Sequence, residues 1–198
     1  MRLRLAARRA GGGAGLLLAA GLLIAPGGCA GRGRDVVTVD VPFVQQPEDR
    51  CGTAAVAMIL AHYGASPDFE ALDRDIHLPA LSGSIPELLA DAARRRGFSA
   101  GLLRDGEAEL RQRLAAGQPL ILLLAPSGEE PRGHFVVATG YQTRRGALRV
   151  HSGMRPDRWW TAGAWRPRWE AAGSRGVWIL PVPADPPNLP AASGQGME

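Results

Sequence analysis

The chain has 198 residues, a length that suits one domain with a single substantial core. Its net charge of +4 comes from the first 28 residues, which hold four arginines (Arg2, Arg4, Arg8 and Arg9) and no acid, so the remainder carries no net charge. This balance removes the electrostatic case for a nucleic-acid partner. All 23 basic residues are arginine, which excludes a Schiff base or any other lysine-dependent mechanism.

Residues 1–28 have the pattern of a signal peptide. Arginine and glycine dominate residues 1–13, and the apolar run that follows at 14–25 is shorter than the roughly 20 residues that a transmembrane helix needs. Small residues then precede Cys29, which resembles the lipobox of bacterial lipoproteins, although Pro26 stands where an aliphatic residue is usual. We therefore predict a lipid anchor on Cys29, attachment to a membrane, and a location on the periplasmic side of the bacterial cell envelope. Ordinary cleavage nearby and a disulfide between Cys29 and Cys51 are the alternatives.

The remaining chain divides into a linker at 29–39, a folded domain at 40–182 and a disordered Pro-, Gly- and Ser-rich tail at 183–198. A run of strands follows a run of helices, and this order indicates an α+β domain with an antiparallel meander. Apolar residues along the first helix have the spacing of one buried face, and Ser84 is the predicted N-cap of a later helix. The predicted elements are a strand at 36–39, a helix at 51–64, a short helix or turn around 72–78, a helix at 84–96, a strand at 98–103, a helix at 106–116, and strands at 120–124, 134–141, 147–152 and 177–182.

Cys51 stands at the start of the first predicted helix, directly before Gly52. The first N–H groups of a helix have no acceptor within it, and the macrodipole is positive there, so a thiolate is favoured over a thiol. We therefore predict that Cys51 is a nucleophile near neutral pH. Gln45 lies six residues upstream in a polar loop, and we predict that its amide donates to an oxyanion hole beside the same sulfur.

His134 follows Gly133 at a junction between a loop and an apolar strand, where a ring can face a cleft. A cysteine at a helix N-terminus and a histidine on a later strand form the thiolate–imidazolium pair of papain-like enzymes. His62 and His77 are interpreted as a packing residue and a surface residue. The few Cys and His residues lack the clustered spacing of a zinc site, so neither a metal nor another cofactor is expected.

Two motifs carry a family resemblance: QQPEDRCGTAAVAMILAHYG, and GHFVVATGY much later in the chain. They resemble the bacteriocin-processing, double-glycine leader peptidases, family 39 of the cysteine peptidases, and its lipoprotein-like stand-alone relatives. The resemblance covers about residues 40–182. It implies a papain-like fold, in which an N-terminal nucleophile helix packs on an antiparallel sheet. It also implies a peptide or protein substrate, with Cys51 as nucleophile, His134 as general base and acid, and Gln45 in the oxyanion hole.

The chain departs from the family at the third catalytic position. The family has an aspartate at the end of the strand that pairs with the histidine strand, and that position falls on Ser152 here. Strand alternation sends His151 and Ser152 to opposite faces, and Asp157 is the nearest acid. A hydroxyl or a main-chain carbonyl can still orient an imidazole through Nδ1, but it stabilises the imidazolium less than a carboxylate does. We therefore predict slower turnover than a full triad gives.

The sequence thus favours an exported, lipid-anchored cysteine peptidase. Double-glycine leader specificity is not carried over, because the chain shows an export signal and no fused transporter. One alternative is a peptide-binding module of the same fold with impaired catalysis, and another is a papain-like amidase or acyltransferase. The five tryptophans in the last part of the chain suit either core packing or a wall along the substrate.

Overall fold

The computed structural model describes residues 35–128 and 132–183. The predictions of a signal peptide at 1–28, a lipid anchor on Cys29 and a disordered tail concern residues outside these ranges, apart from residue 183 itself. Among the described residues, no helix combines the length and the apolarity that crossing a membrane requires.

One antiparallel sheet forms the centre of the domain. Its strands follow the order β2-β7-β3-β4-β5-β6, and β1 pairs with the part of β4 beyond the end of β3. The predicted meander is therefore right for β3 to β5, β6 was not predicted, and the meander is wrong for the last strand, which inserts between β2 and β3. The strands are β1 (Val36–Thr38), β2 (Phe98–Leu102), β3 (Leu120–Leu124), β4 (His134–Gln142), β5 (Ala147–Ser152), β6 (Arg155–Trp160) and β7 (Gly176–Pro181).

Five α-helices accompany the sheet, and the last of them was not predicted. Helix α5 and strand β6 occupy the tryptophan-rich segment, where Pro167 inside the helix and the polar, exposed strand hide both patterns. Trp165 and Trp169 are fully buried on one face of α5, which confirms the core-packing interpretation for these two. The helices are α1 (Cys51–His62), α2 (Phe69–Ile76), α3 (Pro86–Arg94), α4 (Gly106–Ala115) and α5 (Ala162–Ala171), with a 3-10 turn at Pro79–Leu81.

Helix α1 is the central helix of the fold. Every residue from 52 to 60 is buried, so the prediction of a single buried face is wrong. The reason is that α1 packs against strands β3 and β4 and also against helices α2 and α3. A helix that is enclosed on all sides needs apolar residues all round its circumference. Gly64, at φ +82°, ends the helical segment as predicted.

Helix α3 begins one residue later than the predicted N-cap at Ser84 implies. Its N-cap is Ile85 with no side-chain cap, and Pro86 occupies the first turn. Ser84 lies instead against the start of α1, because a Cβ placed on Gly52 would come within 2.9 Å of the Ser84 Oγ. The glycine after Cys51 therefore permits close packing between α1 and the loop before α3.

Candidate active site

Cys51 is the first residue of α1, as the sequence predicts. The preceding residue, Arg50, makes no side-chain cap, and the first turn contains no acid. The first helical hydrogen bond runs from Ala54 N–H to the Arg50 carbonyl at 2.9 Å. The N–H groups of residues 51–53 therefore have no acceptor within the helix, and their partial positive charge surrounds the half-buried Cys51 side chain.

A carboxylate on α2 fixes the start of α1, a feature that the sequence analysis missed. Asp73 accepts hydrogen bonds from Arg50 Nε at 2.8 Å and from Thr53 Oγ1 at 2.9 Å. Arg50 also contacts His77 Nδ1 at 3.3 Å, so His77 is not the simple surface residue of the sequence-based interpretation. Because Arg50 and Thr53 flank the cysteine closely, these bonds hold the start of α1 against α2.

His134 begins β4 and is almost fully buried. Its Nε2 lies 3.0 Å from Ser152 Oγ, so the structure brings together the histidine and the third residue that the sequence selected. The contact uses Nε2 and not the predicted Nδ1. With Nε2 directed at Ser152, Nδ1 becomes the ring nitrogen that would serve the cysteine.

Strand register explains why Ser152 meets His134 and its neighbour does not. Val137 pairs with His151, so Ser152 follows opposite residue 136, on the same face of β4 as His134. His151 points to the other face, where its Nε2 lies 2.9 Å from the Val41 carbonyl and its Nδ1 accepts from the Asp157 N–H at 3.1 Å. Both nitrogens of this buried ring are thus committed to the backbone.

Asp157, the alternative orienting acid, is engaged elsewhere. Its carboxylate lies 2.7 Å from Arg149, and it also approaches His151 at 3.6 Å. These partners lie on the opposite face of β5 from Ser152. Of these two candidates, therefore, Ser152 is the one with a hydrogen-bond contact to His134.

Cys51 and His134 line the same cleft, which has a volume of about 460 Å³. Gln46 also lines it, whereas the predicted oxyanion-hole residue, Gln45, is exposed and is not among the lining residues. Spacing alone could not separate two adjacent glutamines, because the direction of each amide depends on how the loop before α1 turns. The other lining residues are Asp49, Leu81, Ser82, Gly83, Ser84, Leu123, Arg132, Gly133 and Phe135.

An ion pair joins the two loops that border the cleft. Arg132, in the loop before β4, lies 2.8 Å from Asp49, in the loop before α1. Both residues line the cleft, and the Arg132 side chain is 56% exposed. An exposed pair of this kind adds little stability, but it links the two loops where a substrate would enter. No group of three metal-ligating side chains occurs among residues 35–128 and 132–183.

A family model covers the part of the chain that contains these residues. The model described as the Peptidase_C39-like family matches residues 38–177, which is most of the chain and spans Cys51, His134 and Ser152. The chain belongs to this C39-like peptidase family. No curated protein matches it.

Solved structures share the fold of this C39-like protein at low sequence identity. A double-glycine motif protease from an AMS/PCAT transporter, in complex with the leader peptide, is 20% identical, with a TM-score of 0.59 over 74% of this chain and 95% of its own. A protein from Bacillus anthracis described as a C39-like peptidase is 19% identical, with a TM-score of 0.62 over 75% and 99%. The peptidase domain of Streptococcus ComA is 17% identical, with a TM-score of 0.58 over 72% and 98%. The predicted papain-like α+β fold is therefore confirmed, and the fold supports a peptidase-type function.

Proposed function

We propose that this C39-like protein is an exported cysteine peptidase that cleaves a peptide bond through a Cys51–His134 acyl-enzyme mechanism. One observation carries the proposal: Cys51 at the start of α1 and His134 at the start of β4 line a single cleft, and the His134 ring is oriented by Ser152. The neighbour solved with its leader peptide favours a peptide as the ligand of this cleft.

The chemistry follows from the two reacting groups. The Cys51 thiolate attacks the carbonyl carbon of the scissile bond, and the carbonyl oxygen becomes an oxyanion. As the C–N bond breaks, His134 transfers its proton to the leaving amine and a thioester remains on Cys51. Water then attacks the thioester while His134 takes up the proton of that water. Release of the acid restores the thiolate–imidazolium pair.

The oxyanion donors are the second part of the proposal. The N–H of Cys51 lies in the first turn of α1, where N–H groups have no acceptor within the helix, and a glutamine amide from the preceding loop supplies the other donor. Motif spacing selects Gln45, and the lining of the cleft selects Gln46. The two variants Gln45→Ala and Gln46→Ala, compared at equal protein concentration, form a matched pair that distinguishes these assignments. We expect the larger loss of activity, on the order of 100-fold, in Gln46→Ala.

Export and anchoring rest on the sequence of residues 1–29 alone. We expect that cells given an alkyne-tagged fatty acid label the wild-type protein and leave Cys29→Ala unlabelled. Labelling of both proteins, or of neither, would remove the lipid anchor from the proposal without affecting the cleft chemistry.

The experiment that tests the mechanism is alkylation of the full-length protein by iodoacetamide from about pH 5 to about pH 9, followed by intact-mass analysis. Cys51→Ala removes the reactive thiol, His134→Ala removes the base, and His62→Ala is the matched control because its ring bonds to the Asp40 carbonyl, away from the cleft. We expect labelling of Cys51 that persists well below the ordinary thiol range of about 8.5 in wild type and His62→Ala and disappears there in His134→Ala. Labelling that follows an ordinary thiol in all three proteins would contradict the mechanism.

Ser152 favours one second candidate, a peptide-binding module with impaired catalysis. A hydroxyl in contact with His134 stabilises an imidazolium less than the carboxylate that the family usually has there. An inert thiol together with measurable peptide binding would select the module. If the thiol is reactive, comparing amine incorporation with hydrolysis separates a peptidase from an acyltransferase, because both pass through the same thioester.

A further inference from the structure

A second pocket shares Ser152 with the proposed catalytic pair. It has a volume of about 330 Å³ and lies between the β5–β6 hairpin and one side of α5. Ser152 connects it to the cleft, because the same side chain contacts His134 Nε2. The residues that line this arginine pocket are Ser152, Arg155, Arg158, Trp160, Ala164 and Arg168, of which three are arginines and none is acidic.

A β-bulge brings two of these arginines to one face. Ser152 pairs with Arg155 and Val150 pairs with Arg158, so three steps along β6 match two steps along β5. Asp157, at φ +57°, lies within the bulge. In a regular strand, residues three apart point to opposite faces. The bulge therefore places both Arg155 and Arg158 beside Ser152.

The positive charge of the arginine pocket is not neutralised by β6 itself. Among the residues that the structure describes, Arg155 and Arg158 have no acidic partner. The one acid between them in sequence, Asp157, binds Arg149 on the other face of the hairpin. Arg168 is held in place by a hydrogen bond from Nε to the Ala125 carbonyl at 3.0 Å. Guanidinium groups pair with carboxylates through two parallel hydrogen bonds, so the pocket has the chemistry of a carboxylate site.

The proposed reaction indicates which side of the scissile bond the arginine pocket would contact. His134 protonates the leaving amine, so it faces the fragment on the C-terminal side of the scissile bond. The arginine pocket adjoins His134 through Nε2, on the edge of the ring away from the nitrogen that serves Cys51. We propose that this pocket binds a carboxylate of the leaving fragment, either an acidic side chain or the C-terminal carboxylate, and so selects substrates that are acidic after the cleavage point. This inference rests on the proposed peptidase function.

Cleavage of a diverse peptide library by the full-length protein, read by mass spectrometry, tests the selectivity. The double variant Arg155→Ala/Arg158→Ala removes two exposed arginines of the pocket, and Arg74→Ala/Arg104→Ala removes two exposed arginines elsewhere as a charge-matched control. We expect enrichment of Asp, Glu or a chain end after the cleavage point in wild type and control, and a loss of at least about tenfold in the pocket variant. A library with amidated C-termini separates the two sources, since only selection by side chains survives amidation.

A second measurement does not depend on turnover. Succinate is titrated into each protein at constant ionic strength while tryptophan fluorescence is recorded, because Trp160 lines the pocket. We expect a saturable response in wild type and control that is lost in the pocket variant. If no peptide is cleaved but this response appears, the peptidase proposal fails and the carboxylate site stands. A cleavage pattern or a succinate response that is the same in all three proteins would overturn the inference.

Discussion

The hydrogen bond between His134 and Ser152 allows a quantitative prediction. Ser152→Ala removes the hydroxyl that lies 3.0 Å from His134 Nε2 and leaves the β5 backbone in place. A hydrogen bond to a charged group contributes about 1.5 to 3 kcal/mol, and the half-exposed, neutral Ser152 oxygen belongs at the lower end. About 1.5 kcal/mol corresponds to a roughly tenfold fall in the population of the thiolate–imidazolium pair relative to that of the neutral thiol–imidazole pair.

The rate of Cys51 alkylation as a function of pH measures this population directly. Below the range in which an ordinary thiol ionises, only the ion pair reacts, so the rate there should fall in Ser152→Ala, by up to about tenfold. The ion-pair part of the profile ends at the pH where the His134 imidazolium loses its proton. This upper limit should also move to lower pH in Ser152→Ala, because the imidazolium loses a hydrogen-bond acceptor. Ser152→Asp should move the limit to higher pH, since a carboxylate stabilises the imidazolium more strongly.

Asp157→Ala is the control for this series, because its carboxylate binds Arg149 and lies on the opposite face of β5. We expect its alkylation profile to match that of the wild type. The role of Ser152 would be contradicted if Ser152→Ala behaved as wild type and Asp157→Ala lost the low-pH reactivity. In that case the imidazole would be oriented by the acid and not by the serine.

Three further predictions concern stability. Arg166 holds the pKa of the Glu107 carboxyl below its usual range, mainly through side-chain hydrogen bonds, with Tyr141 adding another. The resulting stabilisation is complete above the ordinary Glu pKa of about 4.3 and is lost as the pH falls through the lowered pKa of the folded state. We therefore expect urea unfolding to show that Glu107→Gln is about 1 kcal/mol less stable than wild type at neutral pH, and that this difference shrinks in acid. The Tyr63 hydroxyl is buried without a hydrogen-bond partner among the described residues, so Tyr63→Phe should leave the free energy of unfolding unchanged or raise it by up to about 1 kcal/mol, and a clear loss would contradict this. Gly52→Ala should lower the free energy of unfolding by about 1 to 3 kcal/mol and slow Cys51 alkylation, because the added Cβ would clash with Ser84 in the loop before α3. Wild-type values for both quantities would show that this loop moves aside without cost.

Elements whose boundaries depend on local chemistry were predicted well. The continuous aliphatic run of β3 and the turn-bounded β5 both have their predicted limits of 120–124 and 147–152. Helix α1 begins at Cys51, as the change from a polar loop to an apolar run indicates. In each case the signal lies in neighbouring residues, which periodicity and turn chemistry describe.

Features that depend on distant partners were not predicted. Insertion of β7 between β2 and β3 is decided by pairings such as Ile121 with Val177, which no local pattern reports. Enclosure of α1 on every side likewise depends on α2 and α3, so its apolar residues were interpreted as one face of a two-sided helix. The hydrogen bond between Arg50 and Asp73 joins the start of α1 to α2. Charged residues on a short helix are usually solvated, so no sequence pattern indicated this contact.

The candidate site divides in the same way. Strand alternation correctly separated His151 from Ser152, because the side-chain period of a strand is fixed. The choice between Gln45 and Gln46, and between the two ring nitrogens of His134, depends on how a loop turns and how a ring is rotated. Neither property has a sequence period, so motif spacing could name the residue types but not the atoms that meet.

The serine at position 152 and the surplus of arginines beside it are best understood together. Ser152 pairs directly with Arg155 across the hairpin, so an aspartate at this position would lie opposite a guanidinium group that has no other acidic partner among the described residues. Such a carboxylate would pair with Arg155 and weaken the positive field that a substrate carboxylate needs. A hydroxyl keeps the hydrogen bond to His134 and leaves that field intact. We therefore expect Ser152→Asp to strengthen the Cys51–His134 ion pair of the resting enzyme and to reduce selection for acidic leaving fragments. On this one variant, low-pH alkylation of Cys51 should rise while the enrichment of acidic residues after the cleavage point in the peptide library should fall.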